Sequence, residues 1–126
     1  MKDVKTPRPA MALLWVALGA VPGALLRWAL ANTLIANTLG CFVVGASGLL
    51  DSPSPRRVLL VGVGFAGSLT TFSTWVLQLV VHLQKGQWEA LLSQILQDGA
   101  LGLAGLLLGA TLHRQRGRLS QRLLKR

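Results

Sequence analysis

The sequence predicts an all-α integral membrane protein of four transmembrane helices, with an interruption in the third. Three observations point there. Of the 126 residues, 52% are apolar and only 13% are charged, whereas a soluble domain is about 25% charged. The apolar residues gather into four stretches, at about residues 10–31, 33–50, 58–81 and 90–112. Each comes close to the roughly 20 residues a helix needs to cross the hydrocarbon core. The connections between them leave no room for a soluble domain.

The first stretch is interrupted only by Arg27 and contains Pro22, which frees a backbone carbonyl and favours a kink. Basic residues before an apolar run also suit a cleaved signal peptide. The three apolar stretches that follow argue against it, because cleavage would leave an odd number of spans with mismatched loop charges. The second stretch carries no charge and holds Asn37 about one turn in. The third is also uncharged and contains GSLTTFSTW, Gly67 to Trp75. The fourth contains Ser93, Gln94, Gln97 and Asp98, and a basic tail follows at 113–126. A soluble helical bundle would need polar helix faces, and LLWVALGAVPGALL has none.

Four acids, Asp3, Asp51, Glu89 and Asp98, stand against thirteen bases, for a net charge of +9. Such a balance suggests nucleic acid, but the bases sit at the ends and in one loop, so no nucleic-acid partner is expected. With four spans, the N-terminus, the middle loop and the C-terminus share one side. That side carries Lys2, Lys5, Arg8, Arg56, Arg57, Arg114, Arg116, Arg118, Arg122, Lys125 and Arg126. The other has Lys85 and, near the outer end of the first span, Arg27. Eleven against two predicts both termini in the cytoplasm of a plasma-membrane protein. The basic tail would then rest on anionic lipid.

Enzyme chemistry finds little to work with. Cys41 is the single cysteine, and His82 and His113 stand alone, so neither a disulfide nor a zinc set is expected. No paired carboxylates or nucleophile–histidine set are available, and the chain is not expected to be an enzyme. Gly62, Gly64 and Gly67 fit the G-x-G-x-x-G pattern. That pattern binds dinucleotides only between a strand and a helix, with an acid about 20 residues on. Here it lies inside an apolar span, so the dinucleotide reading is rejected.

Glycine spacing bears on helix packing. Gly19 and Gly23, Gly105 and Gly109, and Gly40, Gly45 and Gly48 allow close backbone approach in lipid. Packing within the chain and contact in a dimer both remain open from spacing alone. Four thin helices enclose little space, so a transport path would require an oligomer.

Polar groups at membrane depth are costly and usually face the bundle interior or an aqueous path. Five hydroxyls fall within Ser68 to Thr74, after three glycines. A bond back to the own helix accounts for a lone Ser or Thr, but such a run makes a poor helix. A break is expected near Gly67–Thr71, where unwound carbonyls could bind a cation. Asp98 is expected to pair with Arg27, directly or through Gln94, or else with a cation of a partner subunit.

These residues carry a resemblance. GSLTTFSTW, preceded by Gly64-Phe65, looks like the signature of the small fluoride channels, the Fluc or CrcB family. ANTLGCFVVG, Ala36 to Gly45, resembles the family's second-helix motif, and GAVPGALLRW, Gly19 to Trp28, its first-helix motif. The TTFST core is highly specific. The resemblance implies an antiparallel dimer with a pair of narrow fluoride pores and a structural sodium ion at its centre. It implies that Asn37 donates its amide N–H to fluoride and that Phe72 presents its positive ring edge. It further implies that Ser73 and Thr74 offer hydroxyl donors, that Trp75 occupies the second aromatic station, and that Arg27 attracts anions. The carbonyls of Gly67 and Thr70 would hold the sodium.

The chain departs from the family pattern in three ways: Trp75 replaces a phenylalanine, no tyrosine is present for the fourth-helix polar track, and Asp98 is a carboxylate beside an anion path. Alternatives carried alongside are a non-conducting or one-pore accessory subunit and a small multidrug-type proton antiporter. The antiporter would need a carboxylate in the first span, which has none. Because the charge bias opposes inverted insertion, the antiparallel partner is expected to be a homologous chain of opposite orientation.

Overall fold

The computed structural model describes residues 8–51 and 54–124, and within these every regular element is helical. Lys2, Lys5, Lys125 and Arg126 of the charge count lie outside the described residues.

Helix α1 spans Pro9–Leu30, with Pro9 at its first turn, where a missing N–H costs nothing, and it runs on through Pro22. Ala31, at φ 49°, turns the chain. Asn32 then caps α2, Thr33–Ala46, its side-chain oxygen accepting from the Ile35 N–H at 3.0 Å. Two residues therefore connect the helices. The second apolar stretch was expected to stay helical to Leu50, but α2 ends at Ala46. Gly48 adopts φ 72°, and a Cβ there would meet the His113 ring, so backbone and packing both stop the helix. At 1.5 Å per residue α2 is about 21 Å long, shorter than the ~30 Å hydrocarbon core.

Ser54 caps the short helix α3, Pro55–Arg57, which leads into a π-helical segment, Val58–Ala66, and then α4, Gly67–Leu69. Thr70 (φ −80°, ψ 160°) and Thr71 (φ −145°, ψ 117°) are extended. Helix α5 resumes at Phe72–Gln84, with the Thr71 hydroxyl oxygen accepting from the Thr74 N–H. After Gly86, α6 runs over Trp88–Leu124. The basic segment expected as a tail is thus helical as far as Leu124. Among the described residues, three stretches are long and apolar enough to cross a membrane: Pro9–Leu30, Pro55–Gln84 and Trp88–Arg118. Helix α2 is a shorter apolar helix beside them.

The helices pack in two pairs, α1 against the π-helical segment and α4, and α2 against α6. Glycines set both contacts. A Cβ on Gly19 or Gly23 would strike the Leu60 or Phe65 carbonyl, and one on Gly64 the Val16 carbonyl. Gly45 faces the Leu106 carbonyl, and Gly105 and Gly109 face those of Thr38 and Phe42. The small-residue spacings are therefore used inside the chain, which decides between the two packings that spacing left open.

The core is thin. Among the described residues the buried apolar side chains are Ala36, Ala66, Leu69 and Ala110, while Leu13, Trp28 and Leu96 are 72%, 83% and 72% exposed. So much apolar surface requires lipid or a second chain. At one end Asp51 pairs with Arg114 at 2.9 Å, and the Arg56 guanidinium lies 5.8 Å from the Trp15 ring centre. The hydrogen bond from Arg114 holds the Asp51 carboxyl below its usual pKa. These contacts gather the start of α1, the α2–α3 connection and the latter part of α6 at one end of the molecule.

Candidate functional site

The extended pair Thr70–Thr71 organises the site. In a continuous α-helix the Thr71 N–H would donate to the Gly67 carbonyl, and the Thr74 N–H to that of Thr70. Here the Thr71 N–H donates to Asn37 Oδ1 at 2.8 Å, and Asn37 Nδ2 donates back to the Thr71 carbonyl at 3.3 Å. The Thr74 N–H goes to Thr71 Oγ1 at 3.3 Å. The carbonyls of Gly67 and Thr70 thereby lose their helical donors. A long contact from Arg27 Nη1 reaches the Thr70 carbonyl at 3.5 Å.

Thr74 Oγ1 accepts from the Thr71 hydroxyl at 3.0 Å and from Arg27 Nη2 at 3.4 Å. With both lone pairs used, its own O–H remains to donate. Asn37 likewise keeps its second amide hydrogen. The other hydroxyls of the run bond to backbone. Ser68 donates toward the Gly64, Phe65 and Ala20 carbonyls, and Thr70 donates to that of Ala66 at 3.0 Å.

Asn37, Phe72 and Trp75 meet in one cleft of about 390 Å³, together with Thr70, Thr71 and Asp98. The Phe72 ring is 76% exposed and lies 5.7 Å from that of Trp75, tilted by 37°. Trp75 Nε1 is buried, with no hydrogen-bond partner among the described residues. Arg27 and Thr74 line a separate cleft of about 190 Å³ on the other side of Thr71. Ser73 and Gly67 are exposed and line neither. A third, polar cleft of about 450 Å³ near the α1–α2 and α5–α6 turns is lined by Asn32, Gln78, His82, Gln94, Gln97 and Asp98, among others.

The expected pairing of Asp98 with Arg27 is not found within the chain. Arg27 is spent on Thr70 and Thr74, and Gln94 Nε2 donates to Gln78 Oε1 at 2.9 Å. Asp98 instead borders both the polar cleft and the aromatic one. Sequence reasoning also missed Thr71 as an anchor, although it is 7% exposed and joins Asn37 to Thr74. The available signal was a threonine three residues ahead of a helical N–H, together with a mid-membrane Asn in need of partners.

The family described as CrcB-like protein, Camphor Resistance (CrcB), matches residues 14–110. The chain is 50% identical over 109 residues to a protein of Parasynechococcus marenigrum (strain WH8102) named fluoride-specific ion channel FluC 2, covering 82% of this chain and 81% of that one. It is 49% identical to a FluC 2 of Synechococcus sp. (strain CC9605), with 83% of each chain covered. It is 36% identical to a protein of Prochlorococcus marinus (strain NATL2A) named FluC 1, covering 75% of this chain and 82% of that one.

Proposed function

This chain belongs to the CrcB-like family, and on that premise we propose that it is a fluoride-selective channel that lets F⁻ leave the cytoplasm down its gradient and so confers fluoride resistance. The observation that carries the reading is the convergence of Asn37, Phe72 and Trp75 on one cleft at the Thr71 interruption. A small anion stripped of water needs several donors, each weak enough to release it. The spare Asn37 amide hydrogen and the Phe72 ring edge supply donors on one side of Thr71, and the spare Thr74 hydroxyl does so on the other. Ser73 adds a hydroxyl that a partner could approach. Arg27 raises the local anion concentration.

The chain is a multi-pass membrane protein, whose exposed apolar faces are suited to lipid and to an antiparallel partner. The released carbonyls of Gly67 and Thr70 fit a hard cation such as sodium, being neutral oxygen donors free of helical bonds. Each carbonyl oxygen has two lone pairs, so the long Arg27 contact still leaves one at Thr70. One chain offers too few oxygens for a closed shell, and a second copy or homologue across a two-fold axis would supply the rest. Bound there, sodium would tie the two interruptions together.

A second reading, in which this chain is one half of a heterodimer, is favoured by the eleven-to-two charge bias. The channel reading is tested by expression in fluoride-sensitive cells, alone and with a homologue of opposite loop charge. Growth in fluoride is expected in at least one arm, and growth in neither would overturn it.

A further inference from the structure

Trp75 Nε1–H has an unmet need. An indole nitrogen can only donate, and a buried donor without an acceptor calls for an explanation, commonly an ion or water that belongs beside it. This one is closed off from the outer surface of the chain and has no acceptor among the described residues. Trp75 itself lines the aromatic cleft, with Asn37 and Phe72. Its ring centre lies 5.7 Å from that of Phe72, which is 76% exposed. As placed, the N–H has almost no exposed surface, so donating into the cleft requires the two rings to turn.

We propose that the Trp75 indole N–H is a fluoride donor of this channel, an additional hydrogen-bonding station where a phenylalanine could present only a ring edge. The inference rests on the fluoride-channel reading. It makes Trp75 a specificity-determining residue. A directed N–H favours fluoride, the strongest acceptor among the halides, over chloride more than a ring edge does. The competing acceptor is the Asp98 carboxylate, which borders the same cleft.

The test uses the purified channel in liposomes and in nanodiscs. Trp75→Phe should keep the assembly and slow fluoride efflux by about tenfold or more, the cost of one hydrogen bond to an ion. In the wild type, the indole N–H resonance absent from Trp75→Phe should move on titration with fluoride and stay fixed with chloride. Should the variant fail to assemble, selective labelling of Trp75 identifies the same resonance. Efflux from Trp75→Phe at or above the wild-type rate overturns the proposal, as does an indole resonance indifferent to fluoride. A resonance that moves on Asp98→Asn but not with fluoride assigns the N–H to Asp98 and also overturns it. A wild-type channel with no fluoride flux removes the channel reading itself, an outcome distinct from all of these.

Discussion

Asn37 and Thr71 are joined by two hydrogen bonds, the Thr71 N–H to Oδ1 at 2.8 Å and Nδ2 to the Thr71 carbonyl at 3.3 Å. One side-chain amide thus replaces the backbone partners that Thr71 gives up by leaving the helix. Removing it should leave a buried N–H unpaired, at a cost of about 1–3 kcal/mol. Asn37→Ala is expected to unfold at lower temperature in detergent and to lose fluoride efflux. Asn37→Asp keeps an acceptor for the N–H but loses the donor and adds a charge, so it should be the more stable of the two and equally silent. An Asn37→Ala protein with wild-type efflux would detach Asn37 from the path.

The released carbonyls of Gly67 and Thr70 lead to a cation dependence. Replacing sodium by a bulky organic cation such as N-methyl-glucamine throughout purification should weaken the assembly and depress efflux, and restoring sodium should recover both. Size-exclusion profiles and efflux rates that do not change with the cation would dissociate these carbonyls from sodium.

Glycine substitutions should divide by contact. Gly45→Val would drive side-chain atoms into the Leu106 carbonyl and the Ala110 amide, forcing α2 off α6. Overpacking of this kind typically costs about 1–3 kcal/mol, and loss of the folded protein is expected. Gly99 has open space where a Cβ would stand, so Gly99→Ala should assemble as wild type. Equal tolerance at the two positions, read by yield and monodispersity, would contradict the α2–α6 contact.

Much of this was legible beforehand. The apolar stretch around α1 is long and uniform, and its helix begins and ends close to the stretch boundaries, while α6 begins close to the start of its own stretch. Legibility fails where a single tertiary contact decides. Helix α2 stops at Ala46 because Gly48 turns left-handed against His113, and hydropathy is blind to that. The basic residues after Leu112 were read as a tail, yet Arg, Gln and Leu are good helix formers and α6 carries on through them. The site residues could be named from the Gly67–Trp75 run, but their grouping could not. Arg27 turns to Thr70 and Thr74 rather than to Asp98 because the interruption offers it bare oxygens nearby. Charge complementarity, the only cue in the sequence, pointed to the wrong partner.

Orientation is set by where the bases lie. A C-terminal tag on this chain expressed alone should be found in the cytoplasm in nearly all molecules, since eleven of thirteen bases favour that side. Comparable populations on both sides, with fluoride resistance from this chain alone, would replace the heterodimer by a dual-topology homodimer.

The most direct measurement is anion efflux from liposomes carrying the purified channel, followed with fluoride- and chloride-selective electrodes. Fluoride should leave and chloride should stay. Phe72→Ile, which removes the ring edge from the cleft shared with Asn37, should still assemble but release no fluoride. Chloride release at a similar rate, or undiminished fluoride release from Phe72→Ile, would contradict a fluoride path along this cleft.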